Sequence, residues 1–199
     1  MNPDVESILI SQEELGRIIT RLASEIERDY SAPDKRLVLV SILKGSVIFA
    51  GALMTALKIP AEIEFMRVSS YGAGTVSSGN TKILLDFHRP DLPLLDLLIV
   101  ENIIDSGRTL SNLTRLLLGR GARSVKSCTL LDKPARREVP FEPDYIGAVI
   151  PDRFVVGFGL DYDEKYRNLP YVGVLKPEIY NSNPKRPPMS FMKGNPAKR

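Results

Sequence analysis

Apolar positions 15, 18, 19, 22, 23 and 26 recur at helical spacing directly after Ser11-Gln12-Glu13-Glu14. That tetrapeptide has the form of a capping box, so the pattern predicts an amphipathic helix ending near Asp29. An apolar run over 37–43 predicts a strand, Lys44-Gly45-Ser46 a turn, and residues 47–57 a helix that stops before Pro60. Residues 63–67 alternate with acids, giving a strand with one polar face, and 82–87 gives another. Between them the polar, small-residue stretch 69–80 cannot build a core and is either a plain hairpin excursion or a lid, the two flanking strands favouring the lid.

The nearly continuous apolar run 94–100 has the form of a central parallel strand covered on both faces. The polar segment 101–109 is expected to end that strand, and Leu110, Leu113, Leu116 and Leu117 then mark a helix stopping at Gly119 or Gly121. Further strands are expected at 125–131, 145–150, 154–160 and 171–174. Strands that alternate with helices and are then followed by consecutive strands indicate an α/β fold, a parallel sheet flanked by helices with a small β-rich addition.

Composition narrows the function classes. The chain has 199 residues, 43% hydrophobic and 26% charged, which is enough for one packed domain. Its apolar runs fall well short of the roughly 18 residues needed to span a bilayer, so no membrane partner is expected. The first six residues carry two acids and no base, which does not fit a secretory leader. The lone Cys128 is expected to be a small buried hydrophobe in a reducing, cytoplasmic setting. The net charge of +3 is misleading: residues 181–199 hold five bases and no acid, leaving 22 bases against 24 acids elsewhere. The basic excess therefore belongs to a Pro-rich tail expected to be poorly ordered, and no nucleic-acid partner is implied.

The chemistry concentrates in Glu101-Asn102-Ile103-Ile104-Asp105-Ser106-Gly107-Arg108-Thr109. Ligands of open α/β sheets bind beyond the carboxyl ends of strands, where this string falls. Ser106, Gly107, Arg108 and Thr109 enter a helix whose free N–H groups favour a phosphate, and Gly107 admits close backbone approach. Upstream acids suit ribose hydroxyls or a divalent cation. The bland alternative makes Asp105 and Ser106 helix caps and Glu101 a solvated strand end.

Residues 100–110 closely resemble the phosphoribosyl-pyrophosphate (PRPP) signature of type I phosphoribosyltransferases. The resemblance extends to the hypoxanthine-guanine branch. Leu43-Lys44-Gly45 is similar to its pyrophosphate loop and Ser70-Tyr71-Gly72 to the start of its lid. Leu131-Asp132-Lys133 resembles its purine-reading segment, and Pro151 to Gly157 with Leu160-Asp161-Tyr162 and Tyr166-Arg167 its base-clamping hood. The five matches occur in the family's order.

The resemblance implies one phosphoribosyltransferase domain over 1–180, with a hood drawn from the N-terminus and about 150–180. It implies transfer of ribose 5-phosphate from PRPP to hypoxanthine or guanine with Mg²⁺ bound, in a homodimer or homotetramer. By the same resemblance Glu101 and Asn102 meet the ribose diol, Ser106 to Thr109 the 5-phosphate, and Lys44, Gly45, Tyr71 and Arg167 the pyrophosphate side. Asp105 takes the purine N7 proton, Lys133 donates to O6, Phe154 stacks on the base and the Val155 backbone reads its edge. Glu101 and Asp161 stand on the metal side, and a non-proline cis peptide precedes Lys44. One position departs from the pattern: Asn102 stands where the family carries a second acid, so Asn102→Asp is expected to raise turnover. A non-catalytic PRPP-sensing protein is the alternative reading.

Overall fold

The computed structural model describes residues 1–69 and 82–181. Helix α1, Gln12–Tyr30, begins at the expected capping box. The Ser11 hydroxyl accepts from the Glu14 N–H at 3.2 Å and the Glu14 carboxylate accepts from the Ser11 N–H at 2.8 Å. Such a cap contributes about 1 kcal/mol and fixes where the helix starts. Its buried face, Leu15, Ile19, Leu22, Ala23 and Ile26, follows the predicted stripe.

The main sheet contains β2 (Leu37–Ile42), β3 (Ala61–Ser69), β4 (Lys82–Leu85), β5 (Asp96–Ile104), β6 (Ser124–Asp132) and β7 (Tyr145–Val149). Its order is β4-β3-β2-β5-β6-β7, parallel throughout except for the antiparallel β3–β4 pair. Strand β2 shows why a parallel centre reads as a continuous apolar run: Leu37 and Leu39 enter one core while Val38 and Val40 enter the other. Helices α1 and α2 (Val47–Ala56) cover the first face and α3 (Arg108–Gly119) the second. Cys128 lies fully buried in the first core, where desolvation pushes its thiol upward.

A second sheet, ordered β1-β9-β8, joins β1 (Val5–Ile10) to β9 (Val172–Leu175) and the two-residue β8 (Val155–Val156). Short helix α4, Pro177–Asn181, follows. The strand expected over 154–160 ends after Val156 because Gly157, Phe158 and Gly159 all take positive φ, which turns the chain. Strand β5 departs in the opposite sense: it continues through Glu101, Asn102, Ile103 and Ile104 instead of ending at Val100. Ladder bonds to β6, with Glu101 opposite Thr129 and Ile104 opposite Asp132, keep these polar residues in the sheet.

The opposite, amino-terminal edge is fastened by Asp96. This fully buried carboxylate accepts from the Ser124 hydroxyl at 2.6 Å, the Arg36 N–H at 3.3 Å and the Arg123 guanidinium. Among the described residues no helix is long and apolar enough to cross a membrane.

Candidate active site

The carboxyl ends of β2, β5, β6 and β7 point the same way, so the connections after Ile42, Ile104, Asp132 and Val149 share one rim. At the first, a cis peptide joins Leu43 to Lys44. The Lys44 ammonium is 3.1 Å from Glu164, and Gly45 lies against Gly159, where an added Cβ on Gly159 would stand 2.1 Å from the Gly45 carbonyl. Arg167 donates to the Gly159 carbonyl at 2.7 Å and pairs with Asp161 at 2.9 Å and with Glu164 at 3.3 Å. Asn102 reaches the same group through Phe158, its amide donating to that carbonyl at 2.7 Å. Lys44, Gly45, Asn102, Asp161 and Arg167 are thus one connected cluster.

The second connection enters α3. Its N-cap is Gly107 at φ +80°, with no side-chain cap, so Asp105 is not the helix cap of the bland reading. A Cβ at Gly107 is disfavoured by the left-handed conformation and would press on Arg137 Cδ, 3.0 Å away. The Ser106 hydroxyl accepts from the Arg108 N–H at 3.4 Å, and the exposed Arg108 pairs with Glu138. Thr109 follows in the first helical turn, leaving the N–H groups of this turn at the rim. Arg137, which sequence reading missed, holds the loop from below: it donates to the Asp105 carbonyl at 2.6 Å and pairs with Asp132 at 2.6 Å. No local pattern marks it, since both partners precede it on separate strand ends.

At the third connection Lys133 is only 5% exposed, against the usual fate of lysine. Its N–H donates to the Ile104 carbonyl at 3.0 Å, tying it to the end of β5 beside Asp105. Its ammonium donates to the Arg153 carbonyl at 2.7 Å, and desolvation lowers its pKa below the ordinary lysine value, with the Asp105 charge opposing. Phe154 follows Arg153; its ring stacks on Tyr180 with centroids 4.9 Å apart and meets the Tyr162 edge at 5.6 Å. Val155 is buried and pairs with Val174. Tyr71 and the expected lid from Ser70 onward lie outside the described residues, as does the basic tail beyond Asn181.

Residues 5–163 match the phosphoribosyl transferase domain family. Hypoxanthine-guanine phosphoribosyltransferase of Bacillus subtilis is 46% identical over 92% of this chain and 99% of its own length. This chain belongs to the hypoxanthine-guanine phosphoribosyltransferase family. The bifunctional protein TilS/HprT of Listeria innocua is 50% identical over 91% of the chain, which spans only 28% of that longer relative. The structure of Trypanosoma cruzi hypoxanthine phosphoribosyltransferase in complex with the product IMP has a TM-score of 0.83 at 41% identity, covering 90% of this chain and 99% of that one. The type I phosphoribosyltransferase fold expected from sequence is therefore the fold observed.

The family's Mg²⁺ can be set against these residues. Among the described residues no three His, Cys, Asp or Glu side chains cluster to form a cage. Mg²⁺ commonly takes one or two carboxylates, waters and substrate phosphate oxygens, so a cage is not required. Half-buried Glu101 suits that role: its carboxylate accepts from the Asn102 N–H at 3.0 Å, and burial pushes its pKa up to about 8 with no basic side chain offsetting it. A cation would supply the missing charge. Asp161 is already engaged with Arg167 and with the Glu164 N–H at 3.0 Å.

Proposed function

We propose that this chain transfers ribose 5-phosphate from PRPP to hypoxanthine or guanine, giving IMP or GMP and pyrophosphate. The observation that carries the reading is Lys133, a buried residue whose backbone N–H is held by the end of β5 and whose ammonium is held by the Arg153 carbonyl, close enough to Asp105 to feel its charge. A PRPP sensor has no use for such a group; a 6-oxopurine does. Its remaining N–H bonds suit an oxo acceptor, whereas adenine would offer a donor to a donor.

In the reaction the bond from ribose C1 to the pyrophosphate oxygen breaks and a bond from C1 to a purine ring nitrogen forms. Asp105 accepts the N7 proton as the base gains its sugar. The first turn of α3, with Ser106, Gly107, Arg108 and Thr109, holds the 5-phosphate, and Glu101 orients the ribose diol. Lys44, Gly45, Tyr71 and Arg167 receive the leaving pyrophosphate. Phe154 stacks on the base and the Val155 backbone meets its edge. Mg²⁺, held on the side of Glu101 and Asp161, would neutralise charge building on the diphosphate.

Replacing Asp105 by Asn tests the proton path. Turnover is expected to fall by about 100-fold or more with PRPP affinity little changed, since a positioned base commonly contributes that much. Turnover within threefold of the wild type would remove Asp105 from that role.

A further inference from the structure

Asn102 departs from the family's acidic pattern, and its surroundings give the amide work that a carboxylate cannot do. The side chain is 1% exposed, and its Nδ2 donates to the Phe158 carbonyl at 2.7 Å. Phe158 is the middle of three successive residues at positive φ: +98° at Gly157, +47° at Phe158 and +96° at Gly159. The N–H groups of this turn are bound, Phe158 to the Leu169 carbonyl at 2.8 Å and Gly159 to the Arg167 carbonyl at 2.9 Å, while the Gly159 carbonyl accepts from Arg167. The Phe158 carbonyl is taken by Asn102 on β5. The turn also rests on Gly45, so that one amide fastens it to the sheet beside both Lys44-Gly45 and Arg167.

We infer that Asn102 is a positioning residue: through the Phe158 carbonyl it locks the turn at 157–159 onto the Lys44-Gly45 loop and sets these elements and Arg167 for a diphosphate. This rests on the PRPP reading above and departs from the sequence expectation that Asn102 meets the ribose diol. An ionised carboxylate at 102 has no hydrogen to donate and would set an anion against the Phe158 carbonyl oxygen, leaving that acceptor without its partner. The amide is not a weakened acid but a different device.

The discriminating ligands are pyrophosphate and the nucleotide product, because the nucleotide keeps the ribose and lacks the diphosphate. For both Asn102→Ala and the isosteric Asn102→Asp, KM for PRPP, and for pyrophosphate in the reverse reaction, is expected to rise about tenfold, the scale of one lost buried hydrogen bond. kcat should stay within about threefold, and the Kd for IMP measured calorimetrically should not move. Equal weakening of IMP would assign Asn102 to the ribose and overturn the inference. So would an Asp variant with unchanged or lower KM for PRPP. Hydrogen exchange without ligand gives a second readout: the Phe158 and Gly159 amides should be protected in the wild type and exchange about tenfold faster in Asn102→Ala, and equal exchange in the two contradicts the lock. Absence of nucleotide formation by the wild type with every base would instead defeat the PRPP reading, while exchange would still report on the lock.

Discussion

The Lys133 ammonium stands 2.7 Å from the Arg153 carbonyl and holds the end of β6 to the segment that presents Phe154. One buried cation thereby links the two sheets at the point where the base is proposed to sit. Lys133→Met keeps the apolar stem and removes the donor. KM for hypoxanthine is expected to rise about 10- to 100-fold, the range of one or two hydrogen bonds to a buried charged group, and discrimination against adenine to shrink. KM for PRPP should change less than threefold. Parallel kinetics with both bases measure this, and unchanged selectivity would contradict the role.

Phe154 is held by Tyr180, stacked on it with an interplanar angle of 19°, and by Tyr162, edge-on at 86°. Such ring pairs contribute about 0.5–1.5 kcal/mol beyond their buried area. Tyr180→Leu is expected to raise KM for the base about three- to tenfold and leave KM for PRPP unchanged. Equal effects on the two substrates would place Tyr180 in general stability instead.

Gly107 occupies a backbone conformation that L side chains avoid, and its Cβ would press on Arg137 Cδ at 3.0 Å and on Val139 at 3.2 Å. Gly107→Ala should cost about 1–2 kcal/mol. Because Arg137 also holds Asp105, the same change should weaken PRPP and nucleotide together. Calorimetric titration of each ligand separates this from Asn102→Ala, which spares the nucleotide.

Asp96 gives the acid limb of stability. Burial raises its pKa, but bonds from Arg123, Ser124 and the Arg36 N–H outweigh burial and hold it below the ordinary aspartate value. A carboxyl lowered on folding adds stability that is fully present above the unfolded value, near 3.9, and is lost as pH falls through the folded value. Denaturant melts should therefore show stability dropping below about pH 4. Asp96→Asn should cost about 1–3 kcal/mol at pH 7 and flatten that limb. A limb of unchanged steepness would contradict the assignment.

The legible parts of the fold are those carried by local chemistry. The Ser11 and Glu14 cap, the α1 stripe and the apolar runs of β2 and β5 all lie within windows of a few residues. Strand β1 was not read because Val5–Ile10 pairs with β9 from the far end of the chain. The continuation of β5 was missed because Glu101 and Asn102 look like loop residues, yet both pair with β6 or lie within its ladder while Asn102 is buried against the Phe158 carbonyl. Within the site, the family resemblance pointed to Lys133, Asp105 and Gly107, and the structure brings all three to the rim at the carboxyl ends of β5 and β6. The work of Asn102 was not, since its partner Phe158 lies 56 residues away and is reached through a backbone carbonyl that no sequence records. Arg137 was hidden in part for the same reason, since its hold on the loop runs through the Asp105 carbonyl 32 residues away.

Steady-state nucleotide formation from PRPP and Mg²⁺, with hypoxanthine, guanine, xanthine and adenine offered in parallel, tests the transferase activity itself. Release of pyrophosphate matched by IMP and GMP from hypoxanthine and guanine, with no product from adenine, is expected of a 6-oxopurine transferase. Turnover of adenine at a comparable rate, or no nucleotide from any base while PRPP still binds, would contradict it.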